Sequence, residues 1–292
     1  MRIGAAFSAG FKFLEGPRWH DGRLWVSDQH AHTVYSIDSG ATAHAEARLD
    51  DLPSGLGFMP DGSLLIASMR ERKLLRCVDG TVSEHADLSG LGRGWVNDMV
   101  VDRIGRAYVG FTRGRLYERA ADADLLVRVE PDGRHEVVTD QVSVPNGAAI
   151  TEDGKSLILS ESGPGRVSRF TINDDGTLGP AELFADTGLP GPDGLCLDAD
   201  GAAWIGFPRA AAFRRIAPGG DVLDEIGVEG KAIACVLGGP ERRSLYLLVD
   251  SGPGEGFARL REAPDGSTDA ELSDCDSKVY VVEVDTPGSG IP

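Results

Sequence analysis

The chain of 292 residues carries a formal charge of −17, with 46 Asp and Glu against 29 Lys and Arg. That argues against nucleic acid or an anionic membrane as a partner, since both need a basic face. A hydrophobic content of 41% with 26% charged residues excludes a disordered chain, and 39 Gly with 16 Pro point to many turns and few long helices. No stretch approaches the ~18 apolar residues of a membrane span, and the N-terminal "MRIGAAFSAGFKF" lacks a signal-peptide core, so a soluble, cytoplasmic protein is expected.

In chain order the same unit recurs: an apolar strand, a tight turn of the Asp-Gly kind, and a second apolar strand. It reads "PRWHDGRLWVSD" (17–28), "LGFMPDGSLLIAS" (56–68), "MVVDRIGRAYVG" (99–110), "AAITEDGKSLILS" (148–160), "LCLDADGAAWIG" (195–206) and, degenerate, "CVLGGPERRSLYLLV" (235–249). The turns centre on 21, 61, 104, 153, 200 and 241, a period of roughly 45 residues. Most units are followed by another pair of short strands, such as "KLLRCVDGTVSEHA" and "LLVRVEPDGRHEVVT". Four strands per repeat and six repeats predict an all-β fold, a six-bladed β-propeller of four-stranded antiparallel blades around a central channel, as a single domain over 1–292. The sixth repeat is one strand short after "KVYVVEVD" (278–285), and the N-terminal "AAFSAGFKF" is expected to supply it and close the ring.

Aligning the repeats on their turns exposes a second regularity. Seven residues before the turn stand Ser54, Asn97, Asn146, Asp193 and Ala234, and Glu15 stands six before the first. All lie where the innermost strands begin, so they ring one mouth of the channel. A glycine follows four of them, which suggests close backbone approach near the axis. Two carboxylates and up to two amide oxygens converging on one point suit a hard divalent cation, with positions left open for water and substrate. No histidine falls in register, which weakens a zinc-type histidine site.

Other candidates are weaker. His30 and His32 form an HxH pair but are expected to pack beyond an inner strand. Ser160 and Ser162 have no partnered histidine in register for a serine triad, and Glu161 is expected near the mouth because it follows a blade strand. Cys77, Cys196 and Cys235 lie in apolar runs and read as buried reduced thiols; with Cys275 they show no CxxC spacing.

The ordered words "EGPRWHDGRLWVSD", "VNDMVVDRIGRAYVG", "VPNGAAITEDGKSLILSES", "PDGLCLDADGAAWIG" and "ACVLGGPERRSLYLLV" resemble the regucalcin/gluconolactonase/luciferin-regenerating-enzyme family of six-bladed propellers. The resemblance implies a lactone-opening hydrolase with one divalent metal ion (Ca, Mg, Mn or Zn) held by Glu15, Asn146 and Asp193. It further implies Asp193 as general base and Asn97 as a contact to substrate or water. The family's sugar lactonases often carry an arginine two residues before that asparagine, where this chain has Trp95, with Arg93 out of register. An aromatic residue there suits a less polar or stacked substrate. An arylesterase, or a non-catalytic propeller with a structural cation, stays open beside the lactonase reading.

Overall fold

Alternation of buried and exposed positions along 4- to 8-residue strands, punctuated by left-handed turn residues such as Asp21, Gly62 and Gly105, folds the chain into consecutive antiparallel meanders. The computed structural model describes residues 7–113, 124–188, 191–253 and 275–291. Four four-stranded blades, a fifth whose four strands gain the short strand Gly288–Ser289 on the inner edge, and a sixth of three strands follow one another around the ring. Their innermost strands are Leu14–His20, Pro53–Phe58, Trp95–Val101, Pro145–Ile150, Leu195–Asp198 and Lys231–Gly238. Each inner strand packs on the next, and the sixth packs on the first, which closes the ring. The predicted propeller and its six turns are therefore present.

The ring closure is also as expected. Phe7 pairs antiparallel with Val279 of the sixth blade's third strand, its N–H donating to the Val279 carbonyl at 2.7 Å and the reverse bond at 2.9 Å. Residues 1–6, 114–123, 189–190, 254–274 and 292 lie outside the described residues.

Apolar side chains collect between blades. Leu65, Leu74, Val96 and Phe111 fill the interface of blades 2 and 3, while Phe13, Val26, Ile233 and Val236 join blade 6 to blade 1. The other four interfaces carry comparable clusters. Strands sandwiched between two blades must be apolar on both faces, which is why the second strand of each repeat reads as a continuous hydrophobic run.

Part of the negative charge is structural. Buried carboxylates tie the ends of blades together: Asp28 accepts the Lys12 and Phe13 N–H groups, Asp51 pairs with Arg70, Asp124 accepts from Arg113 and Val144, and Asp250 pairs with Lys231. Glu161 belongs to this set, and the expectation that it lines the mouth is incorrect. It is fully buried, held by Arg166 at 2.8 and 3.0 Å, by Ser168 and by the Ser143 N–H.

The chain end was not anticipated as structure. Gly288 and Ser289 pair with Asp198 and Leu197 of the fifth inner strand, and Ile291 pairs with Ile150 of the fourth. Since Ile150 and Asp198 end their strands, this segment runs along the inner edges of blades 5 and 4 at the mouth opposite the ring residues.

Candidate functional site

Near the beginning of an inner strand the ordinary period of two would alternate side chains between faces. In this chain the strand pairing slips there. Register shifts fall between Glu15 and Arg18, Pro53 and Leu56, Val96 and Met99, and Pro145 and Ala148, each bracketing or starting at a ring residue. Bulges of this kind bend a strand and re-aim its side chains. The glycines do what their register implied. A Cβ on Gly16 would lie 2.7 Å from the Ser54 carbonyl, one on Gly147 would lie 2.6 Å from Gly194 Cα, and one on Gly194 would lie 2.7 Å from Ala234 Cα. Each glycine thus lets one blade's ring residue approach the next.

The structure brings Glu15, Asn146 and Asp193 together. Asp193 is 4% exposed, and burial, then the charge of Asp98, pushes its carboxyl up to about 8, against the pull of the Asn146 amide and the Gly194 N–H. Glu15 is held well above the usual carboxylate range by burial first and then by Asp193 and Asp98. Two carboxylates at mutual electrostatic range in a dry mouth destabilise each other unless a proton or a cation intervenes. Asp193 Oδ1 is buried and accepts no hydrogen bond among the described residues. An orphaned carboxylate oxygen beside a second carboxylate and an amide fits a hard divalent cation by donor chemistry. Among the described residues no three His, Cys, Asp or Glu side chains are grouped so as to hold a metal ion.

The neighbouring polar groups fix the ring. Asn146 Nδ2 donates to Ser162 Oγ at 3.2 Å, and that hydroxyl donates to the Pro192 carbonyl at 2.7 Å, coupling the asparagine to the segment carrying Asp193. On the other side Gln29 Nε2 donates to Ser54 Oγ at 3.3 Å, Ser54 Oγ donates to Asn97 Oδ1 at 3.3 Å, and Asn97 Nδ2 donates to the Pro145 carbonyl at 3.1 Å. Beneath the ring Arg18 pairs with Asp98 at 3.0 Å. Trp95 is half-buried at the start of the third inner strand, opposite Thr112, and Arg93 is exposed in the loop before it.

Gln29, Ser162, Arg18 and Asp98 went unassigned in the sequence. Their partners are remote, and the available signal was the repeat register itself, in which Arg18 and Asp98 are charged residues at positions that are small or apolar in the other blades. His30 stacks on Phe13 and His32 contacts the Asp51 carbonyl at 3.1 Å, so the HxH pair packs as expected. All four cysteines are buried and unbridged. A groove of about 930 Å³ between outer strands of blades 2 and 3, lined by His85, Arg128 and His135 among others, contains no ring residue. Among the described residues no helix is long and apolar enough to cross a membrane.

Several known proteins share this arrangement of blades. Pentonolactonase XacC of Haloferax volcanii is 27% identical over 299 residues, covering 99% of this chain and 96% of the relative. A 6-deoxy-6-sulfogluconolactonase of Pseudomonas putida is 26% identical over 276 residues, covering 92% of this chain and 89% of the relative. Among solved structures, a luciferin-regenerating enzyme superposes with a TM-score of 0.79 at 16% identity, covering 99% of this chain and 98% of that one. A calcium-binding protein, regucalcin, of Agrobacterium tumefaciens superposes with a TM-score of 0.78 at 22% identity, covering 99% and 97%. The model of the SMP-30/gluconolactonase/LRE-like region matches residues 13–250, a span that runs through all six inner strands and every ring residue from Glu15 to Ala234. The chain belongs to the SMP-30/gluconolactonase/LRE-like family.

Proposed function

We propose that this chain is a divalent-cation-dependent hydrolase that opens a lactone, with Glu15, Asn146 and Asp193 holding the cation. The observation that carries the reading is the orphaned Asp193 oxygen beside Glu15 and the Asn146 amide at one mouth of the channel. Relatives named as lactonases over nearly the whole chain, and a structural neighbour described as calcium-binding, support it. When bound, the cation supplies Lewis acidity toward a lactone carbonyl and an attacking water.

The chain's own residues do the rest. Asp193 accepts a proton from the attacking water and returns it to the alkoxide released when the ring opens, so lactone plus water gives one hydroxy acid. Asn97 is held at both ends, its oxygen by Ser54 and one Nδ2 hydrogen by Pro145, which leaves a second Nδ2 hydrogen for an oxygen of the substrate. Held rigidly, that donor needs no reorganisation as negative charge develops on the carbonyl oxygen.

The test is hydrolysis of aldonolactones, apolar lactones and aryl esters by EDTA-treated protein re-supplied with Ca²⁺, Mg²⁺, Mn²⁺ or Zn²⁺. Activity should return with a cation and be lost in Asp193→Ala; activity that persists in that variant defeats the mechanism. Trp95 favours a second reading, an arylesterase on the same scaffold, and turnover of aryl esters above all lactones is the result that selects it.

A further inference from the structure

The two channel positions that break the six-fold pattern lie against each other. Directly after the ring residue, blades 1, 2, 4 and 5 carry Gly16, Gly55, Gly147 and Gly194 and blade 6 carries Cys235, whereas blade 3 carries Asp98. Two positions further on, blades 2 to 6 carry Gly57, Val100, Ala149, Cys196 and Leu237, whereas blade 1 carries Arg18. The guanidinium donates to Asp98 Oδ1 at 3.0 Å, to the Met99 carbonyl, and to the Pro17 carbonyl at 2.7 Å. The two side chains are 5% and 9% exposed.

The pair reaches from blade 1 to blade 3 past blade 2, and glycine makes the passage possible. A Cβ on Gly55 would stand 2.8 Å from Asp98 Oδ1. An ion pair buried this deeply contributes little net stability, because desolvating two charges offsets most of their attraction. Its position points elsewhere. Asp98 acts through space on both Glu15 and Asp193, and Arg18 acts on Glu15.

Resting on the cation reading above, we propose that Arg18 and Asp98 are positioning residues that set the charge of the site. With Glu15 and Asp193 ionised, as a bound cation would hold them, three carboxylates against one guanidinium leave two net negative charges, which one divalent cation balances. Asp98 alone would over-charge the mouth, and Arg18 alone would repel the ion it is meant to admit. The pair also fixes the floor on which Glu15 stands, since Arg18 lies three residues along the same strand.

The test is calorimetric titration of EDTA-stripped protein with Mn²⁺, using Asp98→Asn, Arg18→Met, Arg18→Lys and the double variant R18M/D98N. Folding is checked in each by near-ultraviolet circular dichroism. Asp98→Asn should weaken Mn²⁺ binding at least about tenfold, and Arg18→Met should tighten it by a similar factor. Arg18→Lys, which keeps the charge, and the double variant, which removes both charges, should stay within about threefold of wild type. A merely structural pair cannot give opposite signs in the single variants and cancellation in the double. If Arg18→Met does not fold, the recovery from Asp98→Asn to the double variant carries the same contrast. Wild type that binds Mn²⁺ while Asp98→Asn and the double variant bind it unchanged overturns this inference alone. Wild type that takes up no divalent cation overturns the reading of the site, and this inference with it.

Discussion

Gly147→Ala is the sharpest test of how the ring is built. A Cβ there would meet Gly194 Cα at 2.6 Å, Leu195 N at 2.6 Å and the Asp193 carbonyl at 2.7 Å, all backbone of the next inner strand. Ordinary carbon contacts sit near 3.5–4.0 Å, so the strand carrying Asp193 must retreat by about 1 Å. Gly147 is not among the glycines with positive φ, so alanine is compatible with the backbone and the whole penalty is steric. Overpacking costs about 1–3 kcal/mol, and the upper end applies because no flexible side-chain tip can yield. With a urea slope of about 3 kcal/mol per molar, the unfolding midpoint should fall by about 1 M. The same shift separates Asn146 from Asp193, so cation affinity should drop at least about tenfold, as misplacement on the order of 1 Å does in positioned sites. Gly227→Ala is the control, since nothing lies within 4 Å of its added Cβ, and its unfolding free energy should stay within about 0.5 kcal/mol of wild type. An unchanged midpoint and unchanged affinity in Gly147→Ala would refute the close-approach argument.

Further outcomes follow from the same geometry. In cation-free protein the Asp193 carboxyl, raised to about 8 by burial and Asp98 and facing Glu15, favours folding while protonated. That contribution is complete below the ordinary pKa near ~4 and is lost as pH rises to the folded value of about 8, so Tm should fall between about pH 4 and 8. The fall should shrink in Asp193→Asn and vanish with saturating cation; a flat Tm in cation-free wild type would contradict it. Glu161→Gln should cost about 2 kcal/mol in urea unfolding, because it weakens charge-assisted bonds from Arg166 and Ser168, yet leave cation affinity within about twofold. A large loss of affinity there would return Glu161 to the mouth. Glu15→Gln should weaken the cation in calorimetry by at least about tenfold, and unaltered affinity would remove Glu15 from the site. Trp95→Ala should raise KM for aromatic or apolar substrates more than for aldonolactones; equal effects on both would leave Trp95 a packing residue.

The fold was legible because its signals are local and repeated. Turn dipeptides with period-two strands between them recur at nearly constant spacing, and no long-range information is needed to count blades. The ring residues were legible for the same reason, since a shared offset from the turn becomes a shared place around an axis. What stayed hidden depends on pairing across the ring. Arg18 and Asp98 are 80 residues apart, and nothing near either one advertises the other. Gln29 sits in a 3₁₀ turn beyond the second strand of blade 1 and reaches Ser54 only because blade 2 follows it. The segment at 288–291 has too few residues to show a strand pattern, and its partners lie 90 or more positions earlier in the chain. Glu161 misled because a carboxylate after a blade strand looks the same in sequence whether Arg166 waits for it or solvent does.

Repetition and exception therefore carry different information in this protein. Positions that repeat across blades build the ring: apolar second strands, turn glycines, and the glycines that let inner strands touch. Carboxylates that recur at blade ends, such as Asp28, Asp51 and Asp250, belong to that same architecture, and they account for buried charge that performs no chemistry. At the ring position itself the six residues are Glu, Ser, Asn, Asn, Asp and Ala, and the proposed cation site depends on that difference among them. Glu15, Asn146 and Asp193 come from blades 1, 4 and 5, so Ala234 of blade 6 lies between Asp193 and Glu15. Ala234 is 1% exposed, packed in the apolar cluster that joins blades 6 and 1, and its Cβ lies against Gly194, the residue that follows Asp193. Replacing Ala234 with leucine should press on Gly194 and displace the neighbouring Asp193, lowering cation affinity at least about tenfold with an overpacking cost of about 1–3 kcal/mol, and calorimetry beside urea unfolding separates the two effects. A lowered urea midpoint with wild-type cation affinity would show that Asp193 does not depend on the contact between Ala234 and Gly194 for its place in the proposed site.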